Sequence, residues 1–127
     1  AGAAKQATER QRAKAGHLTA AVPALGHLFT DGWDLDRRNA SDLIGRGQEI
    51  HDTFAPRVDA LRRERAARSR IADGRSLPEA ARQAGIDPQD LERRLGSDLE
   101  LEIAKLAEEI GVRLDRRIDP AETLPAT

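Results

Sequence analysis

The chain has 127 residues, about one domain's length, and its only aromatic side chains are Phe29, Trp33 and Phe54, so a core must be assembled mainly from Leu, Ile, Val and Ala. It lacks cysteine, which excludes a disulfide framework and a Cys-ligated zinc, and its longest uncharged run, Ala15 to Thr30, is too short and too broken by Gly16, Pro23 and Gly26 to span a bilayer. A net charge of −1 with 34% charged residues is not the overall basic surplus of a dedicated duplex binder.

The elements follow in chain order. AGAAKQATERQRAKAG (1–16) has helix-forming composition with an alanine-only apolar face, and is expected either as a helix or as an arm. Pro23 disfavours helix at Val22, and Gly26 and Gly32 punctuate a connector running to Trp33. A helix is expected from near Asn39 or Ser41, with Leu43, Gly47, Ile50, Phe54, Val58 and Leu61 at steps of three and four on one face. Pro56 either kinks it or opens a second helix, and the stripe continues into RRERAARSRIADG, closed by Gly74. Three capped starts come next: Ser76 with Glu79, Asp87 with Pro88, and Ser97 with Glu100. The last helix carries Leu99, Ile103, Leu106, Ile110 and Leu114, with Gly111 either ending or weakening it, and IDPAETLPAT is read as an extended tail.

These signals predict a single all-α domain over 1–127, a bundle of four to six helices with a short helical pair near residues 76–95. Residues 1–16 and 119–127 are the expected mobile or partner-bound arms. Heavy Arg and Ala use without Met or Tyr points to a bacterial or phage origin, and with no secretory core after the basic start a cytoplasmic setting is expected.

Charge is segregated along the chain: +3 over 1–16, −3 over 17–56, +4 over 57–75 and −5 over 87–111. The basic block holds Arg57, Arg62, Arg63, Arg65, Arg68, Arg70 and Arg75, which form a broad collar on a helix and not a single line. They can contact phosphates, or they can pair with acids of the last helix such as Glu100, Glu102, Glu108 and Glu109.

The stretch SLPEAARQAGIDPQDLERRL (76–95) resembles the helix-turn-helix of Fis-like and resolvase-like DNA-binding proteins, over about twenty residues. Ala81 matches the small residue between the two helices, Gly85 the turn glycine, and Ile86, Leu91 and Leu95 the apolar contacts. The resemblance implies that Asp87, Pro88, Gln89, Asp90 and Arg94 face bases and phosphates, with Arg93 and Arg94 late enough in the helix to clamp the backbone. The residues themselves favour another partner, because Asp87, Asp90 and Glu92 would bring carboxylates to a polyanion.

No catalytic motif is evident: there is no HExxH, Gly-rich phosphate loop or nucleophile elbow. In EIHD, Glu49 and His51 point to different sides of a helix, so no metal, cofactor or catalytic group is expected. The leading expectation is a non-enzymatic interaction protein that binds another protein or itself, with Trp33, Leu99, Ile103, Leu106 and Ile110 as interface residues. The alternative is a DNA-associated regulator or phage or plasmid accessory protein, contacting nucleic acid through Arg62, Arg63, Arg65, Arg68, Arg70, Gln89, Arg93 and Arg94.

Overall fold

A computed structural model describes residues 8–30 and 37–126. Trp33 lies outside the described residues. Among those described there are six α-helices, two short 3₁₀ turns and no strand, as the all-α expectation requires.

Helix α1 (Glu9–Ala21) starts in a capping box: the Thr8 hydroxyl accepts from the Gln11 amide at 3.1 Å, and the Gln11 side chain accepts from the Thr8 amide at 2.8 Å. It runs past Gly16 and buries Ala15 and Leu18, so its apolar face is more than alanine. Val22 leaves the helical region before Pro23, as the proline demands. The connector then tightens into a 3₁₀ turn (Pro23–Leu25) and helix α2 (Gly26–Thr30).

Helix α3 (Arg37–Ala72) is one element, already running before Asn39 and continuous through Pro56. Its 36 residues span about 54 Å. Proline removes one backbone donor, but Pro56 and Asp52, whose carbonyl loses that donor, are both exposed, so water can replace the bond. On the opposite face Ile50, Phe54 and Val58 are buried, with Leu43 and Leu61 packed beside them. Gly47 is where α2 meets α3: a Cβ there would stand 2.6 Å from Cζ of Phe29.

Gly74, at φ 99°, turns the chain into α4 (Leu77–Ala84), and Gly85, at φ 74°, turns α4 into α5 (Pro88–Arg94). Ser76 and Asp87 cap these helices, accepting from the amides of Glu79 (3.3 Å) and Gln89 (3.0 Å). Helix α6 (Leu99–Leu114) is capped by Asp98, which accepts from the Leu101 amide at 3.1 Å, and not by Ser97. The Ser97 hydroxyl is instead turned back to the Arg94 carbonyl at 2.6 Å.

Helix α3 is the spine shared by two cores. One joins α1, α2, the first half of α3, α6 and the tail around Leu18, Leu25, Val58, Leu106 and Ile110. The smaller core sets Ala67 of α3 against Ala80 and Ala81 of α4 and Leu91 of α5. Gly111 neither ends nor disrupts α6, which closes at Asp115 in the left-handed region (φ 53°). The glycine lets the chain fold back: the Arg116 amide donates to the Gly111 carbonyl at 3.0 Å, and a Cβ at 111 would lie 2.6 Å from the Arg116 carbonyl oxygen.

The tail, read from sequence as an arm, packs on its own chain as far as it is described. Ile118, Thr123 and Leu124 are buried, a 3₁₀ turn (Pro120–Glu122) shapes it, and Arg65 donates to the Pro125 carbonyl at 2.9 Å. The apolar tail residues Ile118 and Leu124 join the larger core. Residues 8–16 of the other expected arm likewise lie in α1 or its cap.

Candidate interaction site

The expected interface residues of α6 lie inside the molecule. Leu99, Ile103, Leu106 and Ile110 are all buried in the larger core, where α6 packs against α3, so they cannot offer apolar surface to a partner without opening the fold. The 3-4 stripe was legible, but a stripe does not say whether its cover is internal or external.

The collar arginines are mostly held by acceptors of the same chain. Arg62 and Arg63 bind Asp59 at 3.0 and 2.7 Å, and Arg63 also approaches the carbonyls of Ala84 and Gly85 at 3.4 Å, where α4 ends. Arg68 donates to the carbonyls of Arg94 (2.6 Å) and Ser97 (3.1 Å), closing α5 in the same way. Arg57 reaches Glu109 of α6 at 2.6 Å, and Arg65 holds the tail. Arg70 finds no side-chain partner among the described residues. Burial acts to raise the Asp59 carboxyl, but hydrogen bonds from Arg62 and Arg63 outweigh it and hold it below the usual range. The Arg57 guanidinium likewise holds Glu109 low. Of the four acids the sequence offered, the collar thus pairs with Glu109 of α6 among the described residues, while Glu102 pairs with Arg94 of α5.

The centre of this network is Glu64, 4% exposed on α3. Arg94 of α5 grips it through Nε at 2.6 Å and Nη2 at 3.2 Å, and the same Nη2 reaches Glu102 of α6 at 2.5 Å. Arg68 stands 3.6 Å away. The two carboxylates, Glu64 first, raise the Arg94 pKa further above its already high value. Three helices therefore meet in one ionic clasp. Nothing in the sequence marked Glu64 as its centre, because the pairing is set by how α5 folds back across α3.

Between α4 and α5 the chain turns at the left-handed Gly85, Ala81 and Leu91 are buried together in the small core, and Leu95 is 37% exposed and lies outside it. At the tip of α5, Gln89 and Asp90 are exposed, Asp87 is engaged as the cap, and Asp90 pairs with Arg93. Arg94, expected near phosphates, is in the clasp. Between α3, α5 and α6 lies a groove of about 770 Å³, with Leu61, Ile86 and Leu91 in its walls and Arg57, Asp87, Asp90 and Lys105 among its charged lining.

The EIHD stretch forms a local hydrogen-bond group: His51 Nδ1 lies 3.0 Å from Asp52, and Gln48 donates to Asp52 at 2.7 Å. These two contacts, His51 first, hold the Asp52 carboxyl low. His17 on α1 brings its ring centroid to 6.4 Å from that of His51. Among the described residues no three His, Asp or Glu side chains converge as a metal site, and no helix is long and apolar enough to cross a membrane. Comparison with known proteins returned no matching protein family, curated protein or solved structure.

Proposed function

We propose that this chain is a non-enzymatic helical interaction protein, an adaptor, assembly subunit or regulator of the cytoplasm, that docks on another protein or on itself. The observation that carries this reading is the occupation of its cations: the Arg94 and Arg68 groups that could meet phosphates bind Glu64, Glu102 and helix-end carbonyls, while the tip of α5 exposes carboxylate. Turning Arg94 outward would leave Glu64 buried with weakened compensation, a penalty of order several kcal/mol for a fully buried charge. A groove lined by Leu61, Ile86 and Leu91 together with charges of both signs also suits a protein surface better than a polyanion.

The left-handed Gly85 turn and the tightly packed Ala81 favour a second reading, a DNA-associated regulator. Fluorescence anisotropy of a labelled random duplex in low salt separates the two. The docking reading expects no saturable binding up to ~10 µM, the tight end of non-specific affinities being about 1 µM. Micromolar binding that collapses with salt and weakens in Arg62→Ala plus Arg63→Ala refutes it.

A further inference from the structure

The face of α6 turned away from the core reads Leu101, Lys105, Glu108, Val112 at steps of four, three and four. It lies opposite the buried line of Leu99, Ile103, Leu106 and Ile110. Leu101 is 50% exposed and Val112 is 80% exposed. Eleven residues apart, they sit about 16 Å apart along the helix and within about 20° of one line around it. Lys105 and Glu108, exposed between them, form no ion pair or hydrogen bond with each other or with any described residue. This contrasts with the neighbouring clasp, where each charge is paired.

We propose that this face pairs antiparallel with the same face of a second copy, about a twofold axis passing between Leu106 and Ala107. The inference rests on the docking reading above and names its partner. The order of the side chains selects the arrangement. Reversing one copy sets Val112 level with Leu101 and Glu108 level with Lys105, and the symmetry makes each match twice. A parallel pair sets Lys105 level with Lys105 and Glu108 level with Glu108, which is repulsive. A purely acidic or purely basic partner satisfies one of the two charges and opposes the other. The apolar ends supply the attraction and the central charges fix the register. A contact along one short helix falls below the ~800 Å² per partner of a standard stable interface, so the association is weak, in the range of about 10–1000 µM.

Sedimentation equilibrium of the full chain across ~10 µM to ~2 mM tests this, the span being chosen to bracket that affinity. A monomer–dimer equilibrium is expected, and Leu101→Ser with Val112→Ser should return it to monomer. Both side chains are exposed, so helical circular dichroism and the urea midpoint should stay as in the parent chain. The decisive arm uses charge. Lys105→Glu and Glu108→Lys should each weaken self-association roughly tenfold, about 1.4 kcal/mol. Mixing the two variants should restore the dimer, because the all-acidic stripe then faces the all-basic one. A chain that stays monomeric throughout overturns the proposal, as does a dimer indifferent to both charge variants or a mixture no tighter than its components. Duplex binding through the collar would defeat the docking reading instead, so the two failures are distinguishable.

Discussion

Two ion pairs of the same chemistry, one buried and one exposed, give the most direct test of how this fold is held. Glu64 is almost fully buried and receives two hydrogen bonds from Arg94, at 2.6 and 3.2 Å. Arg57 and Glu109 meet at 2.6 Å with side chains 50% and 52% exposed. Hydrogen bonds to charged groups contribute about 1.5–3 kcal/mol each, but Arg94 is itself 40% exposed and keeps Glu102 when Glu64 is lost. That partial compensation brings the expected Glu64–Arg94 coupling down to roughly 2 kcal/mol, well short of a fully desolvated pair. The exposed pair should couple far more weakly, since solvent screens it and both long side chains must be ordered. Urea unfolding of two double-mutant cycles, Glu64→Gln with Arg94→Gln and Arg57→Gln with Glu109→Gln, measures both. The m value should stay constant in all variants. Equal couplings in the two cycles would refute the claim that α5 is fastened through Glu64, and with it the argument that Arg94 is withheld from phosphate.

The return of the tail gives the next expectation. Gly111→Ala pushes a Cβ to 2.6 Å from the Arg116 carbonyl oxygen, which is backbone and cannot swing aside, so a loss of about 1–3 kcal/mol is expected. Leu124→Ala should cost about 2–3 kcal/mol if the tail is part of the core, read as a lowered urea midpoint, whereas a free arm would leave the midpoint unchanged. Acid should also weaken the fold. Asp59 and Glu109 are held below their ordinary values of 3.8 and 4.5, so their contribution is fully present above those values and is lost as pH falls through the lower folded ones. Thermal melts between pH 6 and pH 3 should show the midpoint falling below about pH 4.5, less steeply in high salt because these pairs are screened.

Much of the scaffold was legible because its rules are local. The steps from Leu43 to Leu61 and from Leu99 to Leu114 set two amphipathic helices, the caps at Ser76 and Asp87 started two more, and Gly74 and Gly85 marked turns that need positive φ. The errors came where one residue of context decides. Ser97 with Glu100 has the spacing of a cap, yet Asp98 stands next to it and takes the role. Pro56 reads as an interruption, yet it and Asp52 lie on an exposed face where water can take the place of the missing bond, and α3 continues.

The sequence by itself determined helical class, the apolar stripes and the segregation of charge, since each depends on neighbours three or four residues away. Only the tertiary structure decided what covers each stripe and what answers each charge. It turned the expected α6 interface into internal core, closed most of the collar on carboxylates and carbonyls of its own chain, and brought Arg94 across thirty residues to Glu64. The physical reason is range: periodicity is written into adjacent turns, whereas the partner of a buried charge is set by where distant helices come to lie.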